Sequence, residues 1–258
     1  MYAATEASAP ALRVKDGDII PVFDRWVGSW RLSLHRRALT TQELEHSYDR
    51  AAAKWNRILV RLDYPTAYEA LLQELLHQHI VHTKPSPIRA LDCGVGTGEL
   101  SCALARISPR PVWLDAIDIS TCMLDQARER MRRAELDASF HQGDARSLPF
   151  EDDVFDITMT AHLLEHLSDP RVALTEMVRV TKPGGLVIAC MTRRSALGLY
   201  IHLKWRTHMV SQTQAERWMR ESGLQDACRV SFDHRGALRR RSVACAGIKP
   251  ILKLNLET

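Results

Sequence analysis

After Pro87 the chain alternates short apolar runs with amphipathic helical patterns, and this alternation constrains the fold more than any other feature. "IRALD" (88–92), "VWLDAID" (112–118), "ASFHQ" (138–142), "VFDITMT" (154–160) and "LVIAC" (186–190) read as strands. Between the first two, "GELSCALARI" sets Leu100, Ala103, Leu104 and Ile107 at helical spacing. "STCMLDQARERM" turns Met123, Leu124, Ala127 and Met131 inward behind a Ser120 cap. "RVALTEMVRVT" follows Asp169, an N-cap, with Pro170 in its first turn. This alternation of strands and helices predicts an α/β fold, a doubly wound and mostly parallel sheet with helices on both faces.

The segment before Pro87 has a different texture. Residues 1–39 form an N-terminal extension, partly disordered by composition, and "PVFDRWVGSWRL" within it has no clean period. Thr40-x-x-Glu43 is a capping box that opens a helical pattern through "LEHSYDRAAAKWNRILVRL". "YPTAYEALLQELLHQHIV" then carries Leu71, Leu72, Leu75, Leu76 and Ile80 as one stripe, and "TKPSP" ends the segment. Residues 40–87 are thus expected as a helical cap on a domain spanning 88–258.

Composition narrows the class. The 258 residues are 45% hydrophobic and 26% charged, as in ordinary globular proteins. No run reaches the roughly 18 apolar residues of a membrane span, and the N-terminus has no basic region followed by an apolar core. Six scattered cysteines without a C-x-x-C pair read as reduced residues of a cytoplasmic protein. The net charge of +4 is uneven: from Thr192 onward 13 Lys/Arg face 5 Asp/Glu, a solvated basic surface or an attraction to an anionic partner.

The chemistry concentrates in "LDCGVGTGEL", where Asp92, Gly94, Gly96 and Gly98 lie between a strand and a helix. Glycines there let a ligand approach the main chain, and the helix start offers N–H donors. Asp118 ends the second strand, twenty residues beyond Gly98, where a carboxylate can accept both hydroxyls of a ribose. The dinucleotide fingerprint G-x-G-x-x-G is absent, since the spacing is G-x-G-x-G. An acid at Asp92 repels a pyrophosphate and suits an ammonium or sulfonium. Asp144 follows the third strand and is placed to accept from an adenine amine, with Ile119 and Met123 against the ring faces. A cationic amino-acid end, a ribose and an adenine together describe S-adenosyl-L-methionine.

With those residues in view, positions 85–190 resemble the class I S-adenosylmethionine-dependent methyltransferases, in particular the ubiquinone/menaquinone methyltransferase-like small-molecule group. The matching stretches are "LDCGVGTGELSCALA", "IDISTCMLDQAR", "GDARSLPFEDDVFDITMT" and "MVRVTKPGGLVIA". The resemblance implies a seven-stranded Rossmann-like sheet ending in an antiparallel hairpin, which "ACRVSF" (227–232) and "SVACAGI" (242–248) fit. It implies that Asp92, Gly94, Gly96 and Gly98 hold the methionine part, Asp118 the ribose, and Asp144 with Ala145 the adenine. By analogy with the family's capping helix, Tyr48 and Trp55 line the pocket.

The residues after the fourth strand face the methyl group in such a fold: Thr160, Ala161, His162, Glu165 and His166. His162-x-x-Glu165-His166 also spells a zinc-protease pattern. It follows a strand directly, so a continuous helix is not expected there and no metal is assigned. His162 is a general base or a wall of the pocket, and His166 orients the loop or takes part in catalysis. The acceptor is expected to be a small molecule, apolar or aromatic, methylated on O, C or N. The insertion "TRRSALGLYIHLKWRTHM" (192–209) is a packing helix, a lid, or a peripheral membrane contact, and a homodimer stays open. Two competing readings are a nucleic-acid or protein methyltransferase and a non-catalytic S-adenosylmethionine-binding regulator. The [ND]-P-P-[YF] motif of nucleic-acid amino-methyltransferases is replaced by "TAHL", and the basic "RGALRRRS" loop lacks an aromatic for stacking.

Overall fold

Strand pairing begins in a segment whose sequence has no clean period: β1 (Ile19–Val27) and β2 (Trp30–Arg37) form an antiparallel ribbon joined through Gly28 and Ser29. It is a two-stranded sheet of its own, separate from the main sheet. The structure, a computed structural model, describes residues 19–37, 40, 42, 43, 45, 46, 49, 63–79, 86–192, 210–230 and 242–251. Tyr48, Trp55, the insertion beyond Thr192 and the "RGALRRR" run lie outside the described residues.

The capping box forms as its spacing predicts. Thr40 N–H donates to Glu43 Oε2 at 2.9 Å, and Glu43 N–H donates to Thr40 Oγ1 at 3.2 Å. Helix α1 (Tyr64–His79) buries Tyr64, Ala67, Tyr68, Leu71, Leu72, Leu75 and Leu76 along one stripe. The main domain then runs β3 (Ile88–Cys93), α2 (Glu99–Ile107), β4 (Val112–Asp118), α3 (Thr121–Arg133), β5 (Ala138–Gln142) and β6 (Phe155–Ala161). It continues with α4 (Pro170–Val180), β7 (Thr181–Thr192), α5 (Gln212–Glu221), β8 (Gln225–Val230) and β9 (Ser242–Ile248).

Seven strands hydrogen-bond in the order β5-β4-β3-β6-β7-β9-β8. The first five in that order are parallel, and β9 runs antiparallel between β7 and β8. The chain winds outward from β3 through β4 to β5, then returns to β6 on the other side of β3. The carboxyl ends of β3 and β6 therefore flank a topological switch point, where open α/β sheets bind ligands.

Alternate strand residues feed two cores. Ala90, Leu114, Ala116, Ile157, Met159, Ile188 and Cys190 pack with the buried faces of α1, α2 and α3. Leu91, Cys93, Ile117, Phe155, Val187, Ala189 and Met191 pack with α4 and α5. This two-sided burial is why the central strands read as continuous apolar runs. β7 starts earlier than "LVIAC", because the Gly184 and Gly185 backbones exchange hydrogen bonds with Lys249 at 2.8 and 3.0 Å. Helix α5 was not foreseen in the sequence. Its signature is nonetheless present: Ser211 caps Gln214 N–H at 3.2 Å, and Ala215 and Met219 are buried four residues apart.

Leu72 is fully buried in the layer that ties α1 to the sheet. Leu72→Ala is expected to lower unfolding free energy by about 2–5 kcal/mol in denaturant titration.

Candidate functional site

The Gly-rich turn after β3 is held from two directions. Gly94 and Val95 N–H donate to Ile117 O at 2.8 and 3.0 Å, which ties the turn to the end of β4. Gly96 N–H donates to Asp118 Oδ2 at 2.8 Å, and Ser120 N–H donates to Asp118 Oδ1 at 2.9 Å. The backbone at Gly96 is left-handed (φ 53°), and a Cβ there would meet no atom within 4 Å. Gly98 is constrained differently: at φ 80° a Cβ would sit 3.0 Å from Met131 Cε and 3.4 Å from Ala127 Cα. One glycine leaves open space at the turn, and the other lets α3 pack against the start of α2.

Asp118 is buried, and burial pushes its carboxyl up despite the N–H groups of Ser120, Gly96 and Ile119, with Asp49 adding to the rise. A carboxylate has about four acceptor sites, so these N–H groups do not exhaust it. Asp49 reaches the same place from the N-terminal segment, accepting from Ser120 Oγ at 2.6 Å. The N-terminal segment thus meets the start of α3 through Asp49, the neighbour of Tyr48 in the sequence.

Asp92 lies wholly buried behind the turn and accepts from Ser101 Oγ at 2.5 Å. Burial raises its carboxyl to about 7; the Ser101 hydrogen bond opposes this and the nearby Asp118 adds to it. Ile119 is half-buried. Met123 is 1% exposed, so its side chain is interior. Ala145 is buried in the core on the α4 side. Asp144 forms an Asx turn with Arg146 N–H at 2.9 Å and a two-oxygen ion pair with the Arg146 guanidinium. Its carboxylate is engaged within its own loop.

Across the switch point β6 ends at the half-buried Ala161, and His162 adopts a left-handed backbone (φ 60°) with its N–H on Cys190 O at 2.8 Å. Leu163 crosses the turn; a Cβ on Gly94 would be 3.1 Å from it. Leu164–His166 make one 3₁₀ turn, so His162 and His166 do not share the face of a continuous α-helix. His166 N–H bonds Leu163 O at 2.9 Å.

The His162 ring is 9% exposed and held on several sides. Nδ1 lies 3.1 Å from both Glu165 Oε1 and Thr192 Oγ1, while Thr192 N–H donates to Glu165 Oε1 at 2.9 Å. Tyr64 meets the ring edge-on at 5.2 Å, and its hydroxyl bonds Ser242 Oγ at 2.9 Å. Burial works to raise the Glu165 carboxyl, but the His162 hydrogen bond, both imidazoles and Thr192 N–H hold it well below the usual range. Glu165 was already marked by the H-x-x-E-H spacing. Tyr64 is an addition to the residues the sequence singled out, and nothing local marked it.

Residues 91–189 match the family model described as "Methyltransferase domain". An uncharacterized methyltransferase of Schizosaccharomyces pombe is 36% identical over 135 residues, 49% of this chain and 48% of the relative. The ubiquinone/menaquinone biosynthesis C-methyltransferase of Vibrio vulnificus is 37% identical over 102 residues, 39% of each chain. The chain thus spans about half or less of the length of these curated relatives. Among solved structures, the [4+2]-cyclase SpnF aligns with TM-score 0.63 at 21% identity, covering 83% of this chain and 97% of the other. A possible histamine N-methyltransferase from Thermotoga maritima aligns at 0.60 and 21% identity, over 80% and 99% of the two chains. Residues 91–189 thus match a methyltransferase-domain model, and the solved structures share the fold.

Asp92 gives this domain a pH signature of its own. A carboxyl raised in the folded state stabilises the fold fully below the unfolded pKa near 4, and the benefit is lost as pH rises through about 7. Wild type is therefore expected to lose stability, on the order of 4 kcal/mol, between those limits relative to Asp92→Asn. Paired thermal or denaturant unfolding of the two proteins across pH 4 to 8 measures it; parallel curves would refute it.

Proposed function

We propose that this protein transfers a methyl group from S-adenosyl-L-methionine to a small-molecule, apolar or aromatic acceptor. The observation that carries the reading is the open space at Gly96 beside a buried Asp118 with acceptor sites to spare. Asp118 would hold the ribose hydroxyls, Gly94, Gly96 and Gly98 would admit the methionine chain, and Asp92 would face its cationic end. Ile119 offers apolar contact for the adenine; Asp144 would have to share its carboxylate with Arg146. A structural neighbour supports the cofactor assignment: geranyl diphosphate C-methyltransferase from Streptomyces coelicolor, TM-score 0.56, holds S-adenosyl-L-homocysteine. The curated relatives named for quinone methylation support a small apolar acceptor. All six cysteines are free, as suits the cytoplasm.

When bound, the cofactor supplies an electrophilic methyl on sulfur; the chain supplies orientation and proton control. His162, at the end of β6, is placed to take a proton from the acceptor. Its Nδ1 faces the Glu165 carboxylate, so the imidazole donates there and keeps Nε2, buried on the opposite side of the ring, as the atom that would take the proton. Thr192 and the left-handed turn fix the ring plane, and Tyr64 closes one side against water. His166 serves the loop.

Two measurements test this. Calorimetric titration with S-adenosyl-L-homocysteine is expected to show binding that Asp118→Ala weakens at least tenfold, in line with the loss of two hydroxyl hydrogen bonds. Equal affinity in the two proteins would remove Asp118 from the site. With labelled cofactor, label is expected in a metabolite extract rather than in tRNA or protein. Once the acceptor is known, His162→Gln should lower kcat by about 10²–10⁴-fold. Glu165→Gln should lower kcat less, with KM nearly unchanged.

A further inference from the structure

The β1–β2 ribbon is amphipathic, and its apolar side is open. Opposite residues of an antiparallel pair share a face and successive pairs alternate. Val27 pairs with Trp30, Arg25 with Leu32 and Phe23 with Leu34, so these six positions share one face. Trp26 with Arg31 and Asp24 with Ser33 fall on the other. The apolar face is uncovered: Val27 is 56% exposed, Trp30 75%, Leu32 54% and Leu34 59%. Trp26, on the reverse face near the tip, is 67% exposed. A two-stranded ribbon alone is marginally stable in water, and a contiguous exposed apolar face of this kind marks a surface built to be covered.

Charge selects what covers it. Between Ile19 and Arg37 the ribbon carries Arg25, Arg31, Arg36 and Arg37 against Asp24 alone, a net of +3. A second copy docking through this face would bring two such charges together, which disfavours self-pairing. An anionic surface is attracted instead. Tryptophan at the tip, leucine along one face and arginine among them is the composition that sits at a lipid headgroup boundary. The indoles and aliphatic chains enter the apolar margin while the guanidiniums stay with the phosphates. We propose that the β1–β2 ribbon docks this protein on an anionic lipid bilayer, with the Val27–Trp30 tip and the Leu32–Leu34 face inserted at the headgroup level. The docking is peripheral: no described helix is long and apolar enough to cross a membrane. It is independent of the methyl-transfer reading, because every residue invoked lies outside the candidate site.

Flotation of the full chain with vesicles is the test. The protein is expected to float with phosphatidylcholine–phosphatidylglycerol vesicles and not with phosphatidylcholine alone, with binding that weakens as salt rises. The double variant Trp30→Ser/Leu32→Ser should bind at least about tenfold more weakly. Arg25→Gln should weaken binding to the anionic vesicles only. An unchanged thermal midpoint and unchanged titration with S-adenosyl-L-homocysteine establish that the variants are folded. Failure to bind anionic vesicles, or equal binding by wild type and the double variant, overturns the proposal. Self-association that the double variant abolishes, without vesicle binding, overturns it in favour of a second copy.

Discussion

Two backbone N–H groups from different parts of the chain, Gly96 and Ser120, converge on one buried carboxylate, Asp118. The rest of the site is arranged around that convergence. It locks the Gly-rich turn to the end of β4 and fixes the start of α3, where Ser120 Oγ both caps Met123 N–H and reaches Asp49. A carboxylate taken out of water at that point costs free energy, which the fixed N–H dipoles offset only in part, since burial still pushes its pKa upward. A residue held in that condition stays receptive to further donors.

The opposite side of the switch point uses the same physics with a different outcome. Glu165 is as buried as Asp92, yet its carboxyl is held low where that of Asp92 is raised to about 7. The difference is the partners: imidazoles and a backbone N–H surround Glu165, whereas Asp92 has the neutral donors of Ser101 and a neighbouring acid. One carboxylate stays ionised beside a histidine; the other changes charge near neutral pH. Parallel pairing of β3 with β6 puts the two environments at the same end of the sheet. The [4+2]-cyclase SpnF shares this fold, so the fold alone does not set the chemistry; the side chains do.

Most of the frame was legible in local pattern. The β4, β5 and β9 strands coincide with the apolar runs that predicted them, and Ser120 and Asp169 cap the helices their side chains suit. Helix α5 escaped notice because its apolar face is short, two buried residues within ten. The ribbon escaped because its period-two pattern is interrupted by the register shift between Pro21 and Phe23. In the site, the glycines, Asp118 and the H-x-x-E-H stretch were visible as spacing. The inward face of Met123 was legible too, but the Arg146 clamp on Asp144 was not, since it depends on how two side chains meet once their loop has folded.

The sequence by itself determined the alternation of elements, the turn glycines and the acid at each strand tip, because these are set by backbone preference and hydrophobic period within a few residues. Only the tertiary structure decided which of these groups act together. Tyr64 and Ser242, 178 residues apart, meet beside His162, and Asp49 meets Ser120 across 71 positions. It also decided the charge state of each buried carboxylate, because that depends on the dipoles and charges that folding brings around it and not on its place in the chain.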